Sequence, residues 1–399
     1  KLLIDYGADT DRLGGNYGTA LQAAVTAETD TSHYPRERDF MIAEAFLQLG
    51  AKVDTVAGQF GTALQAAAYD GNLKTTELLL DHGANINLKG GKYCTPLQAS
   101  VAPREARSSS LELVQLLISR GADPNIVGGK YGTALQAAVL QGSPKFAKIL
   151  LRTTRILILP GPSCFVDSLY GIRVMSGSLP DAKCSMELVK LLLDGGADVS
   201  IPGGIYGTPL QAAAFRSRSI ELVELLMKYG AEVNSKGGTY GTALQSAAFR
   251  CKDINVVRLL VDRGAEAKVA TGKYFTALQA AAFRCTDLAV LELLQSHGAD
   301  VHAVGGKYGT ALKAATMWFE DKNKTTFAAT KLLIGSGADV NIKSGKFGKA
   351  LQASLEVGTS LYLNIDLSIP KLLLESEANV NEEGGKYGTA LRARIADPY

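Results

Sequence analysis

Cysteine is scarce in this chain and unpaired in its spacing. Cys94, Cys164, Cys184, Cys251 and Cys285 are five in 399 residues, with no CxxC among them. An odd set without paired spacing builds neither a zinc site nor a disulfide framework, and it suits a reducing compartment. Histidine is scarcer still. His33, His82, His297 and His302 form no H-E-x-x-H pair, and none stands with a Ser or Cys and a carboxylate as a triad would require. No enzyme, metal or cofactor is therefore expected. Long apolar runs are missing too: the most apolar stretch, Ile156 to Val166, is short and interrupted by Pro160 and Pro162, so no membrane span is expected. Charge is nearly balanced, 42 basic against 39 acidic side chains for a net +3, too little to demand nucleic acid or a membrane surface. No signal peptide is read at the start of the sequence, and a cytoplasmic location is expected, with the nucleus also open. With 46% hydrophobic and 20% charged residues the chain folds rather than staying disordered.

Glycine is abundant at 42 residues, and its distribution explains why. The stretch "GGKYGTALQAA", Gly128 to Ala138, returns along the chain, with its aromatic at Tyr17, Phe60, Tyr93, Tyr131, Tyr206, Tyr240, Tyr274, Tyr308, Phe347 and Tyr387. Neighbouring copies lie mostly 33 to 43 residues apart. That period is the signature of a solenoid of supersecondary units. The one long gap, Tyr131 to Tyr206, is divided by Tyr170-Gly171, after which "TALQAA" has decayed to "IRVMSG". Residues 153–183 are thus a degenerate unit or an insertion between repeats at 1–152 and 184–399.

Each unit closes on a second signature, as in "LLISRGADPN", Leu116 to Asn125. Leucines at adjacent helical positions face a core, and Gly121 supplies the left-handed turn that stops the helix. By the same pattern Leu225 and Leu226 are core leucines. Together the two signatures resemble the ankyrin repeat, whose pattern runs T-P-L-H-x-A-A to G-A-D-V-N. "TPLQ" survives at Thr95–Gln98 and Thr208–Gln211; elsewhere Ala replaces Pro, and Gln stands where that family has His, as at Gln136 and Gln245. An amide both donates and accepts hydrogen bonds, much as an imidazole does. The resemblance implies an α-solenoid of about ten to eleven stacked units, each a helix–turn–helix with a β-hairpin connection, monomeric and built to bind a protein. The "GGxYGTALQAA" dialect resembles the arrays of large fungal NOD-like, NACHT-type receptors, which implies a ligand-sensing role beside domains that use nucleotide.

From the Gly of each "GAD" to the Thr of the next "TALQ" is always 12 residues, for example Gly230 to Thr242. Length varies only between a unit's two helices, so Ala27–Asp39, Ala102–Ser110 and Trp318–Thr326 read as polar surface loops. The glycine pair is not a phosphate loop. No Gly-Lys here is followed by Ser or Thr, an aromatic standing there in every hairpin copy, and no G-x-G-x-x-G opens a strand–helix unit. A turn needing positive φ accounts for it.

Two ladders remain as candidate partner-binding residues. Just before the hairpin aromatic stand Lys92, Lys130, Lys273, Lys307, Lys346 and Lys386, a basic edge that either solvates the turn or meets an acidic partner. At the end of the first helices come Phe215-Arg216, Phe249-Arg250 and Phe283-Arg284, with Tyr69, Leu140 and Met317-Trp318 in the same register. The resemblance places this register on the concave groove where partners bind, and aromatic and Arg side chains dominate protein interfaces. The competing reading is structural, each Phe on its neighbour and each Arg on a Phe. Nucleic-acid binding is a rival disfavoured by the balanced charge; an intramolecular lid on a parent receptor is a third. His82 and His297 fall at ends of second helices, where they meet the helix dipole. Glu377 replaces the helix-ending Gly in "SEANVN", and is expected to be forced left-handed. The half-units at both ends lead us to expect a piece of a larger protein.

Overall fold

The computed structural model describes residues 6–26, 37–102, 110–153, 186–202, 205–216, 220–250, 253–284, 287–317, 324–344, 348–356, 367–384 and 388–395, omitting the side chains of 37–39, 216, 324, 356 and 393–395. The chain divides into two compact units, Lys1–Ala197 and Asp198–Tyr399. Each is a stack of helix pairs. In the second unit the first helices Pro209–Arg216, Ala243–Arg250, Ala277–Phe283, Ala311–Thr316, Ala350–Glu356 and Ala390–Ile395 pack in succession. Behind them run Ile220–Lys228, Ile254–Asp262, Leu288–Ser296, Lys324–Gly335 and Ser368–Glu375. In the first unit Ala20–Val25, Ala63–Asp70, Pro96–Ser100 and Ala134–Leu140 play the first role, with second helices from Glu37–Gln48 to Met186–Asp194. The degenerate stretch 153–183 lies outside the described residues apart from Thr153, which ends a helix.

The first helices are nearly all alanine on the packed side, and Ala67, Ala99, Ala212, Ala280 and Ala314 are fully buried. Methyl side chains let adjacent helices approach closely, which is how one unit stacks on the next. The second helices supply volume instead. Leu79, Leu117, Leu226, Leu260, Leu294 and Leu373 occupy one register and are all completely buried. Leu225 is only half-buried, so of the two leucines expected in the core just Leu226 belongs there. Adjacent positions on a helix diverge by 100°, and one stripe cannot bury both equally.

The helix starts show what the Gln of "TALQ" is for. Thr242 Oγ1 accepts the Gln245 backbone N–H at 3.3 Å, and Gln245 Oε1 accepts the Thr242 backbone N–H at 2.6 Å, a reciprocal capping box. The same pair recurs at Thr19, Thr62, Thr95, Thr133, Thr208 and Thr276. Gln245 Nε2 then donates into the following unit, to Val269 O at 3.0 Å and Phe275 O at 2.7 Å. Gln22 reaches Thr55 O and Gly61 O, Gln211 reaches Ser235 O and Gly241 O, and Gln279 reaches Ala303 O and Gly309 O in the same way. One buried amide caps its own helix and staples the next hairpin.

That hairpin is smaller than the resemblance implies. A single antiparallel bridge closes a five-residue loop, as at Gly90 with Cys94 or Gly237 with Gly241, and no extended strand forms among the described residues. Gly91 shows why the second glycine of the pair is needed. Its φ is 56°, and a Cβ there would stand 2.1 Å from the carbonyl carbon of Phe60 in the preceding unit. Between the loops the main chain is hydrogen-bonded directly: Lys92 N donates to Gln59 O, Lys130 N to Lys92 O, Lys273 N to Thr239 O and Lys307 N to Lys273 O, at 2.9 to 3.1 Å.

The "GAD" turns are coupled as well. Asp123 Oδ1 accepts from Asn125 N within its own turn, while Asn87 Nδ2 donates to Gly121 O and Asn87 Oδ1 accepts from Asp123 N. Asn234 repeats this with Gly264 and Glu266, and Asn341 with Glu377 and Asn379. His82 and His297 each hold a carbonyl of their own helix end, Leu78 O at 2.9 Å and Leu293 O at 2.8 Å. Two of the expected loops are shorter than read from sequence, because helices already begin at Glu37 and Lys324.

Candidate interaction surface

The phenylalanines at the ends of the first helices do not stand alone. Each is interleaved with the hairpin tyrosines into one continuous ladder of rings within the second unit. From Tyr206 the centroids step 4.8 Å to Phe215, 4.6 Å to Tyr240 and 5.1 Å to Phe249. The ladder continues 4.5 Å to Tyr274, 5.7 Å to Phe283 and 4.2 Å to Tyr308. Rungs of one kind repeat at 6.1 and 6.3 Å for Phe, and at 5.8 to 6.1 Å for Tyr. Offset aromatic pairs of this geometry contribute about 0.5–1.5 kcal/mol each beyond buried area.

The arginines lie back along the ladder. Arg250 is 5.4 Å over the Phe215 ring and Arg284 is 5.5 Å over Phe249, each reaching the preceding unit. Phe249 is buried, whereas Phe215, Phe283, Arg250 and Arg284 are half-exposed. Arg216 ends its helix, but its side chain is outside the described set. The lysines form the neighbouring row. Lys92, Lys130, Lys273 and Lys307 are exposed, with Nζ 5.0 to 5.6 Å over the ring of the tyrosine that follows. Lys346, Lys386 and Trp318 lie outside the described residues.

In the first unit the ladder is shorter. Tyr69 sits 5.2 Å from Phe60 and 4.7 Å from Tyr93, and Tyr93 lies 6.0 Å from Tyr131. Leu140 is half-buried and Met317, in the second unit, is buried; neither adds a ring. The structure therefore brings the Phe–Arg register and the Lys register side by side on one ladder in the second unit, and breaks the register at Leu140 and Met317. Sequence reading missed the interleaving, although both periods, seven residues apart from one "TALQ" Thr to its Phe, were present to be superposed.

Burial pushes the tyrosine hydroxyls upward: Tyr308 to about 12, Tyr274 further still, and Tyr240 upward against the opposing pull of Arg250 and Arg284. These rungs are neutral over any physiological range. Cys94 is a free thiol, and burial raises it above the ordinary value, so it is not activated as a nucleophile. One buried cation departs from the pattern. In "TALK" the place of Gln is taken by Lys313, whose Nζ donates to Ser344 O, to Ser344 Oγ at 2.9 Å and to Gly348 O at 2.7 Å. Burial lowers its pKa to about 8. It keeps the staple to the next unit and loses the acceptor that would receive the Thr310 N–H. Among the described residues no cluster of His, Cys, Asp and Glu is arranged to hold a metal ion, and no helix is long and apolar enough to cross a membrane.

A family model described as ankyrin repeats matches residues 36–127, 182–271 and 220–305, together more than half of the chain. Among solved structures, the ankyrin repeat domain of Bcl-3, titled a unique member of the IkappaB protein family, is 26% identical. That match covers 58% of this chain and 97% of the other, with a TM-score of 0.45. No curated protein matches the chain. The TALQ staple, the bridge-closed glycine loops and the GAD turns that link helix pair to helix pair are one repeat written many times, and the chain belongs to the ankyrin repeat family.

Proposed function

We propose that the chain is a protein–protein recognition module that binds its partner along the ladder of the second unit. Ankyrin repeats generally serve protein–protein interaction, and one observation supports this particular face. Two arginines and two lysines, half-exposed or exposed, are laid over Phe215, Phe249, Tyr274 and Tyr308 of the ladder, whose rungs Phe215 and Phe283 are themselves half-exposed. Rings ordered by their neighbours lose little side-chain freedom on binding, and Arg with aromatics carries most interface energy. The ring faces are occupied by one another, so bases would find little to stack on, which disfavours the nucleic-acid reading. No catalytic role is assigned. A role as the sensing part of a larger cytoplasmic or nuclear receptor rests on the dialect of the repeat alone, as does the monomeric state on the family's habit.

The test is a nuclease-treated pull-down read by mass spectrometry, comparing the native chain with Arg250→Gln/Arg284→Gln. These replacements leave the rings in place, whereas Phe249→Ala would hollow a buried position. A protein held by the native chain and lost by the equally folded variant supports this face. An unchanged set of retained proteins removes the ladder from consideration.

A further inference from the structure

The charge on this ladder is segregated in a way the total conceals. The hairpins and first helices that build it, residues 205–216, 236–250, 270–284 and 304–317, contain no Asp or Glu at all. The acids of the same helix pairs lie instead in the second helices, their caps and the "GAD" turns, as with Glu221, Asp253 and Asp300, and only further along the unit does an acid, Glu356, end a described first helix. Among the described residues Arg250, Lys273 and Lys307 have no carboxylate within ion-pair distance. Arg250 is positioned by the Phe215 ring, and its Nε has no hydrogen-bond partner. A ring orients a cation without neutralising it, so the positive field of the face stays available to an anion.

The spacing says what kind of anion fits. Equivalent rungs repeat every 5.8 to 6.3 Å with their ring planes only 9 to 24° apart. In an extended chain, side chains two residues apart lie on one face, about 6.4–6.8 Å from each other. A helix matches the rise with residues four apart, about 6 Å, but its row swings away by roughly 40° each time. We propose that Arg250, Lys273, Arg284 and Lys307 receive an extended acidic segment of a protein partner, with carboxylates at alternate positions meeting successive rungs. The proposal deepens the protein-recognition reading above and rests on it.

Fluorescence anisotropy on the full chain tests it, with labelled twelve-residue peptides as probes: alternating Glu and Ser, the same composition with Glu in one block, an alternating Lys–Ser peptide, a neutral apolar peptide, and a single-stranded oligonucleotide of equal charge. The expected result is that the alternating acidic peptide binds best and weakens as salt is added. Its affinity should fall at least tenfold in Arg250→Gln/Lys273→Gln/Arg284→Gln/Lys307→Gln. A second variant, Lys228→Gln/Arg258→Gln/Lys331→Gln/Lys371→Gln, which removes four exposed cations of the second helices, should leave it unchanged. Equal binding of the block peptide, or equal loss in both variants, overturns the register. Stronger binding of the neutral or basic peptide overturns the acidic partner while leaving protein recognition standing. Binding of the oligonucleotide alone, or of no probe, overturns the inference, and the former takes protein recognition with it.

Discussion

Glu377 sits where its neighbours carry glycine, with φ at 67° just after the helix Ser368–Glu375. The sequence pattern alone anticipated this, because a left-handed residue at that turn is required whatever its identity. Glu377→Gly should stabilise the chain by about 1 kcal/mol, read as a higher denaturation midpoint. No change would mean that the side chain compensates the strain. Cys94 and Phe275 adopt the same conformation, with φ of 74° and 72°, at the glycine after the hairpin tyrosine. Lys313 makes a sharper prediction. Its folded pKa, about 8, lies below the ordinary 10.5 of an unfolded lysine. Between those values the unfolded chain holds a proton that the fold gives up, so this residue's contribution to stability rises with pH. Below about 8 the burial penalty is fully present. Lys313→Gln, which restores the acceptor for Thr310 N–H, should therefore stabilise the protein most at neutral pH. Its advantage should shrink as pH climbs toward 10, measured as the difference in melting temperature. A pH-independent difference would show that lysine keeps its charge without cost.

The helix pair and its hairpin are held by one amide, and that makes the first helix and the following loop a single mechanical piece. Gln245→Glu keeps the acceptor for Thr242 N–H and loses the donor to Val269 O and Phe275 O. A carboxylate against two buried carbonyls should cost at least about 2 kcal/mol in denaturant midpoint analysis. If Glu is tolerated, the inter-unit staple is not what the Gln is retained for. The second helices act through volume. Leu226→Ala should cost about 2–5 kcal/mol, since that side chain is fully buried, and half-buried Leu225→Ala markedly less. Equal costs would mean that the two leucines are buried alike.

Within each compact unit the described helix pairs pack mainly on their neighbours, so stability is close to a sum of unit and interface terms. A break in one staple should then loosen nearby pairs before distant ones. Hydrogen exchange on Gln245→Glu should report early exchange in residues 243–284 while the first unit keeps its protection. Uniform loss across the chain would mean that folding is all-or-none over both units. From the decayed repeat alone, limited proteolysis is expected to cut first within 153–183; resistance there with earlier cuts elsewhere would sink that expectation.

Repeat period, the starts of the first helices, the glycine stops of the second helices and the left-handed Glu377 were legible in the chain, because each depends on residues within one unit; the helix starts at Glu37 and Lys324 were not. So was the presence of two basic or aromatic registers. Their meeting was not. Phe215 and Tyr240 are 25 residues apart and belong to successive units, and only stacking sets their rings 4.6 Å from each other. The second partner of the amides of Gln22, Gln211, Gln245 and Gln279, and the loop glycine pressed on the preceding backbone, also come from a neighbouring unit. Local chemistry prescribes what a repeat does to itself; what it does to the next one is decided by the distance at which alanine-faced helices come to rest.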